Sequence, residues 1–139
     1  MNHLPSKLLT LTTLAMAFAF QCKAVAGISE GQIQISAGGD YTCILVKGQV
    51  NCWGDNDYGE TKVPALKNPK MVSAGGVHTC ALDDEGVKCW GWNKEGQTRV
   101  PALKNPKMVT AGNWHTCALD DEGVKCWGHN FYEIGRAHV

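Results

Sequence analysis

The sequence has no basic run, no long hydrophobic span and no helical periodicity. Its 13 lysine and arginine residues balance 13 aspartate and glutamate residues. Acidic residues separate the lysine clusters, so we predict no nucleic-acid binding. The longest apolar run, Leu8–Phe20, has about 13 residues, whereas a membrane span needs roughly 20. Residues 27–139 show no sustained apolar period of 3.6 residues, which predicts almost no helix.

Recognisable catalytic and ligand-binding motifs are also missing. No Ser-His-Asp set, phosphate loop or carboxylate pair suited to glycoside hydrolysis can be placed from residue spacing. We therefore predict no enzymatic activity, no catalytic residue, no cofactor and no bound metal.

The first 26 residues are typical of a secretory signal peptide. Lys7 precedes the apolar run, and Ala24-Val25-Ala26 supplies small residues at the positions that signal peptidase reads. Cleavage after Ala26 predicts a secreted or periplasmic protein without membrane association, which begins with a short lead-in at 27–34. An uncleaved anchor and lipoprotein processing at Cys22 are the alternatives.

A tandem repeat organises the rest of the chain. The segment HTCALDDEGVKCWG occurs at 78–91 and again at 115–128, 37 positions later. The same cysteine, Trp-Gly and asparagine positions recur upstream without a gap, which defines a repeat of about 2.7 units. The units are 35–72, 73–109 and a partial 110–132.

Each unit is predicted to contain a β-hairpin. In the second unit, His78–Leu82 and Val87–Gly91 are strand-like runs, joined by the turn-rich loop Asp83–Gly86. Because side chains alternate along a strand, one face of this hairpin is apolar and is expected to be buried. A third run, Lys70–Ala74, is expected to pair with the first strand.

The cysteines are expected to form disulfides within each unit. Signal cleavage leaves six of the seven cysteines, and an even number in an exported chain suggests disulfides. The hairpin register places the two cysteines of each unit opposite each other, roughly 4.5–5.5 Å apart at Cα. The expected pairs are Cys43–Cys52, Cys80–Cys89 and Cys117–Cys126. The alternatives are free buried thiols and a metal site that includes His78. Eight residues separate the two cysteines of each unit, whereas two to four residues typically separate paired ligands in structural zinc sites.

These motifs carry a family resemblance. HTCAL, the hairpin glycine and CWGxN resemble the regulator-of-chromosome-condensation repeat family across 35–130, most closely its exported bacterial branch. The resemblance implies an all-β fold, a β-propeller of antiparallel hairpin blades that presents loops and faces to protein partners. Nucleotide exchange and β-lactamase inhibition, known for some similar propellers, are not expected, since no residue motif matches either binding surface.

The number of units is too small for a closed ring, because a propeller typically has four to eight blades. We therefore expect an incomplete β-propeller of 37-residue blades. Glu133 and Ile134 break the repeat pattern, and the tail at 133–139 matches nothing upstream. We hypothesise that this tail reflects a truncated gene, the edge of an assembled sequence or a frameshift. If the terminus is genuine, oligomerisation would have to complete the ring.

Function is expected where the repeats differ. Four sets of equivalent positions vary among the units, all in turns that flank the hairpin, and loops commonly carry function. The candidate partner-binding residues are Trp92, Trp114, His129 and Phe131. Large aromatics favour protein interfaces, which predicts an unknown protein partner. There are three alternatives. The aromatic residues could bind a glycan by stacking, the chain could be part of a propeller enzyme whose site lies outside it, or the varying positions could reflect neutral drift of duplicated surface residues.

The positions that stay fixed are expected to shape the blades. The tryptophans interpreted as packing residues between blades are Trp53, Trp90 and Trp127. His78 and His115 occupy the position that Tyr41 holds in the first unit. Histidine and tyrosine share the ability to pack with a polar tip, so this role is expected rather than catalysis.

Overall fold

The computed structural model describes residues 32–129, which form nine β-strands and contain no helix. The strands make three antiparallel sheets of three strands in sequential order, one sheet per repeat. We call these sheets blades 1, 2 and 3. Blade 1 comprises β1 (Gln34–Ala37), β2 (Tyr41–Val46) and β3 (Gln49–Gly54), blade 2 comprises β4 (Met71–Ala74), β5 (His78–Asp83) and β6 (Gly86–Gly91), and blade 3 comprises β7 (Met108–Ala111), β8 (His115–Asp120) and β9 (Gly123–Gly128).

The hairpins have the register predicted from sequence. In blade 2, Cys80 pairs with Cys89, and β4 pairs with β5 but starts one residue later than expected. The predicted four-residue turn is wrong, because Asp83 and Gly86 pair with each other and leave a turn of two residues. Gly86 has a φ of 123°, a left-handed conformation that glycine adopts without the steric cost of a Cβ atom.

Each blade contains one disulfide across its hairpin. The pairs are Cys43–Cys52, Cys80–Cys89 and Cys117–Cys126, with Cα separations of 4.1, 4.1 and 4.0 Å. Such short separations belong to non-hydrogen-bonded pairs of an antiparallel ladder, where facing side chains lie closest. The structure thus has the connectivity expected from the hairpin register, with these six cysteines bonded to one another rather than to a metal.

The hydrophobic core lies between neighbouring blades. The first strand of each following blade packs on the first two strands of the blade before it. Between blades 1 and 2 the buried residues are Tyr41, Cys43, Leu45, Val72 and Ala74. Between blades 2 and 3 they are Cys80, Leu82 and Val109. Because each of these two buried clusters is formed by residues of two blades, blade stability depends on the neighbouring blade.

Several predictions concern residues outside 32–129. The signal peptide at 1–26, most of the lead-in at 27–34, Phe131 and the tail at 133–139 lie outside the described residues. Within 32–129, no helix long and apolar enough to cross a membrane is found.

Candidate functional site

Buried polar contacts join each blade to the next. The Tyr41 hydroxyl donates to the His78 carbonyl oxygen at 2.6 Å, and Thr79 Oγ1 lies 2.9 Å from both the Tyr41 hydroxyl and the Glu60 carbonyl oxygen. In the next interface His78 replaces tyrosine, with Nε2 at 2.8 Å from Thr116 Oγ1. Tyr41 and His78 therefore have the role expected for their shared position in the repeat. Each ring packs in a blade interface, and its polar atom contacts the next blade.

His78 is enclosed between blades 2 and 3. Its surface is fully buried, and its Nδ1 has no hydrogen-bond partner among the described protein atoms. Burial, and to a smaller extent the charge of His115, lowers the pKa of His78 from 6.5 to about 4. The imidazole is consequently neutral near pH 7 and makes one polar contact, to Thr116.

The repeated tryptophans of blades 2 and 3 reach back to the preceding blade. Trp90 Nε1 donates to the Glu60 carbonyl oxygen at 2.7 Å, and Trp127 Nε1 donates to the Gln97 carbonyl oxygen at 2.9 Å. The expected packing role between blades is confirmed for these two. Trp53, in blade 1, is 53% exposed because no preceding blade covers it in the described part of the chain.

Glu60 and Gln97 hold the loops that follow the hairpins, a role that the sequence did not reveal. Both side chains are buried. Glu60 Oε2 accepts from the Tyr58 N–H at 2.9 Å, and Gln97 Oε1 accepts from the Glu95 N–H at 3.1 Å. The sequence feature that could have revealed this role is the recurrence of a polar residue of similar shape at the same position of two repeats, 37 residues apart.

The varying positions of the repeats lie at one end of the blades. In a three-stranded antiparallel sheet, the turn after the first strand and the segment after the third strand share an end. Backbone hydrogen bonds of 2.9 Å join them, from Asp55 to Asp40, from Trp92 to Val77 and from His129 to Trp114. We call this end the turn face, and it comprises 38–40, 55–58, 75–77, 92–95, 112–114 and 129.

Trp114 and His129 are adjacent on the turn face of blade 3. Trp114 is 50% exposed, and its ring meets the His129 imidazole edge-on with centroids 5.8 Å apart. The hydrogen bond from the His129 N–H to the Trp114 carbonyl oxygen fixes the backbone beneath both rings. Two of the four candidate residues therefore form one exposed aromatic site.

Trp92 lies in a different environment from Trp114. It is half-buried, and its ring packs edge-on against Tyr58 of blade 1 with centroids 4.4 Å apart. Its Nε1 is buried without a hydrogen-bond partner among the described residues. Trp92 thus contributes to the contact between blades 1 and 2, and Tyr58 is the more exposed ring of this pair.

Charge is unevenly distributed over the turn face. Blade 1 presents the exposed carboxylates of Asp40, Asp55 and Asp57, and blade 2 presents Lys94 and Glu95. Blade 3 presents the aromatic site. No group of histidine, cysteine, aspartate and glutamate side chains that could hold a metal ion occurs within 32–129. Exposed carboxylates therefore lie on blades 1 and 2, and exposed aromatic rings lie on blade 1 at Tyr58 and on blade 3 at Trp114.

The opposite end is built from charged contacts that hold the proline-containing loops. The Asp120 carboxylate accepts from the Lys104 N–H at 2.8 Å and pairs with Lys125 at 2.9 Å, and these contacts lower the pKa of Asp120 to about 2. Asp83 makes the same contacts with Lys67 and Lys88. Two clefts at this end, of about 210 and 260 Å³, are smaller than the roughly 300–1,000 Å³ of small-molecule pockets. We interpret this end as structural.

The two tryptophans of the turn face should differ in their effect on stability. Trp92→Ala removes the contact with Tyr58 and is expected to lower the free energy of unfolding by about 2 kcal/mol. Trp114→Ala removes an exposed ring and is expected to change it by no more than about 0.5 kcal/mol. Urea denaturation of both variants measures the difference. Equal losses would contradict the assignment of Trp92 to the blade contact.

Three antiparallel blades of one design, stacked through their faces, define a β-propeller repeat protein. The sequence model of the regulator of chromosome condensation (RCC1) repeat matches residues 32–60, 71–97 and 109–133, which is more than half of the chain. The chain belongs to this repeat family. The predicted repeat family and the predicted incomplete propeller are both confirmed, whereas the exported bacterial branch stays a prediction.

Solved structures share this fold. The CRINKLY WD40 ectodomain of the Arabidopsis thaliana receptor kinase ACR4 has a TM-score of 0.60 and 28% identity, covering 78% of this chain and 40% of that chain. The ectodomain of the Physcomitrella patens receptor kinase CR4 has a TM-score of 0.61 and 29% identity, and the match covers 69% of this chain and 29% of that chain. Yeast RCC1 (Prp20), solved bound to Kap60, has a TM-score of 0.58 and 20% identity, and the match covers 72% of this chain and 30% of that chain. The chain thus spans 29–40% of the length of these proteins. A search of curated protein sequences found no match.

Proposed function

We propose that the chain is an extracytoplasmic interaction module that binds a protein partner through its turn face. Propellers of RCC1 repeats are generally binding modules rather than enzymes. Three disulfides in fewer than 100 described residues are typical of an oxidising compartment, which supports export.

The exposed Trp114 carries the proposal. Its indole is held at the edge of blade 3 beside His129, so little side-chain freedom is lost when a partner covers it. Tryptophan is among the residues that dominate binding energy in protein interfaces. Asp40 and Val77 occupy the equivalent positions in blades 1 and 2, so a tryptophan stands at this position in blade 3 but not in the other two described blades.

The charge of the turn face suggests the chemistry of the partner. Asp40, Asp55 and Asp57 are exposed carboxylates at the blade 1 side, and a complementary surface would carry basic residues opposite them. Yeast RCC1 (Prp20) was solved with Kap60 and is described as binding Gsp1p and histones. Those partners belong to the yeast protein, and they support only the suitability of the fold for protein docking.

Trp114→Ala should weaken the binding of the partner with little change in stability. Loss of a tryptophan anchor costs about 2 kcal/mol, or roughly 30-fold in Kd. The chain is immobilised and incubated with the exported proteins of its source, captured proteins are identified by mass spectrometry, and Kd is then measured with the purified partner by biolayer interferometry.

The control variant is Glu122→Ala, at the opposite end of the same blade, which should leave Kd unchanged. Equal binding by wild type and Trp114→Ala would contradict the proposed site. A glycan array provides a second comparison, because hits that disappear in Trp114→Ala would assign the same aromatic site to carbohydrate instead of protein.

A further inference from the structure

The interface between blades 1 and 2 and the interface between blades 2 and 3 have the same spacing. The Ala74 N–H donates to Ser36 Oγ in the first, and the Ala111 N–H donates to Ser73 Oγ in the second, both at 2.9 Å. A backbone hydrogen bond between the glycine turns measures 3.0 Å in the first interface and 3.1 Å in the second. Side chains at equivalent positions therefore have to fit between blades that are equally far apart.

The residue with the polar tip differs between these interfaces. The Tyr41 hydroxyl reaches two groups of blade 2, the His78 carbonyl oxygen at 2.6 Å and Thr79 Oγ1 at 2.9 Å. In the second interface the His78 imidazole is smaller, has no hydroxyl group, and reaches one group of blade 3, Thr116 Oγ1 at 2.8 Å. The second interface thus has a smaller side chain and one polar contact fewer at the same spacing.

The contacts of Thr116 assign the proton of the His78 ring. A carbonyl oxygen can only accept, so the 2.8 Å contact of Thr116 Oγ1 with the Gln97 carbonyl oxygen uses the one hydroxyl proton of the threonine. Thr116 Oγ1 therefore accepts from His78 Nε2–H. A neutral imidazole carries a single ring proton, so His78 Nδ1 is an unprotonated acceptor, buried and without a partner among the described atoms.

Gln97 supplies a group of the opposite kind in the same interface. Its side chain is fully buried, and its Oε1 accepts from the Glu95 N–H at 3.1 Å, which fixes the orientation of the amide. The Nε2 group, a donor, has no hydrogen-bond partner among the described atoms. Donor and acceptor are thus both unpaired, and they do not contact each other.

The carbonyl oxygen of His115 is a second acceptor at this place. Its equivalent in blade 2, the His78 carbonyl oxygen, accepts from the Gly75 N–H at 2.8 Å and also from the Tyr41 hydroxyl. The His115 carbonyl oxygen accepts from the Gly112 N–H at 2.8 Å. The His78 ring has no donor to offer to its second lone pair, because Nε2–H is directed at Thr116.

We propose that one water molecule is bound between blades 2 and 3, where it accepts from Gln97 Nε2–H and donates to His78 Nδ1 and to the His115 carbonyl oxygen. Two protons and an accepting lone pair match two acceptors and one donor. Buried waters typically make about three hydrogen bonds to polar groups that lack protein partners. The water thus replaces the tyrosine hydroxyl of the first interface. The site lies inside a blade interface, so the inference does not depend on the proposed partner site.

A high-resolution crystal structure of the full chain tests the site directly. The wild type should show the electron density of a water oxygen within roughly 3.2 Å of both His78 Nδ1 and Gln97 Nε2. His78→Tyr is the matched variant, because tyrosine occupies this position in blade 1. Its hydroxyl should take the place of the water, so the variant should lack this density.

Magnetisation transfer from water measures the same site in solution by NMR. The side-chain amide protons of Gln97 should show cross-relaxation with water that has the sign of a long-lived bound molecule. The exposed Gln49 amide is the control, because its hydration water exchanges rapidly. In His78→Tyr the Gln97 signal should fall to the level of Gln49. This variant retains the Thr116 hydroxyl, so the loss would exclude transfer through that hydroxyl proton.

Nitrogen-15 NMR of the histidines at pH 7 should show a proton on His78 Nε2 and none on Nδ1. A proton on Nδ1 would overturn the assignment of donors and acceptors on which the site rests. A direct hydrogen bond between Gln97 Nε2 and His78 Nδ1 would refute the proposal, as would a crystal structure without density for a water between them. A water signal at Gln97 that persists in His78→Tyr would refute it as well.

Discussion

Reduction of the three disulfides is expected to unfold the repeats at room temperature. Each bridge closes a loop across a sequence separation of nine residues, and such a loop contributes about 2.5–3 kcal/mol on the chain-entropy estimate. Together the bridges contribute about 8 kcal/mol, which is comparable with the 5–15 kcal/mol that stabilises a typical domain. The blades have small cores, so they have little other stability with which to offset this loss.

Circular dichroism during thermal denaturation, with and without a phosphine reductant, measures the effect. The double variant Cys80→Ala/Cys89→Ala isolates one bridge and should lower Tm by roughly 10–20 °C. Cys43→Ala/Cys52→Ala is the matched variant in blade 1, and equal loop lengths predict a similar decrease. A Tm that reduction leaves unchanged would refute the prediction, as would a disulfide map that links cysteines of different blades.

Acidification from pH 6.5 to pH 4 is expected to destabilise the contact between blades 2 and 3. Burial and the nearby His115 charge lower the pKa of His78 to about 4, whereas in the unfolded chain it titrates near 6.5. As the pH falls below 6.5 the unfolded chain takes up the proton first, so the unfolded state is favoured. Full stability is present above pH 6.5, and about 3 kcal/mol is lost by pH 4.

The chain itself supplies the matched control for this prediction. Tyr41 occupies the His78 position in blade 1, and its hydroxyl contacts Thr79 as His78 Nε2 contacts Thr116. His78→Tyr should therefore fold, and its stability should change little between pH 7 and pH 4.5. Urea denaturation of both proteins over this range gives the free energy of unfolding at each pH. Parallel pH profiles for wild type and variant would show that His78 is not responsible.

Much of the blade could be predicted from the sequence because its contacts are local and repeated. The separation of the paired cysteines, with turn-forming residues between them, permits one hairpin register, and the structure has that register. The length of the turn was wrong because Asp83 looks like a loop residue. Its carboxylate instead accepts from the Lys67 N–H, 16 residues away, and this contact holds the residue at a buried strand end.

The turn face was predicted less completely. Variation among the repeats selected four sets of positions as candidates, and the structure places the described ones at one end of the blades. The sequence could not distinguish Trp92 from Trp114, since both are large aromatics in turns. The difference arises from Tyr58, which packs on Trp92 and follows β3 of the preceding blade. A contact of this kind depends on the offset between neighbouring blades, which no local pattern encodes.

The side chains that connect blades also determine how the sheets resist aggregation. The first strand of each blade is an edge strand, and unpaired N–H groups on such an edge can template the addition of foreign strands. In blade 2 two of these donors are occupied, Val72 by Gln34 Oε1 at 3.1 Å and Ala74 by Ser36 Oγ at 2.9 Å. The Val109 and Ala111 N–H groups of blade 3 are occupied in the same way, by Met71 Sδ at 3.5 Å and Ser73 Oγ at 2.9 Å. The first strands of blades 2 and 3 are therefore poor templates for amyloid growth.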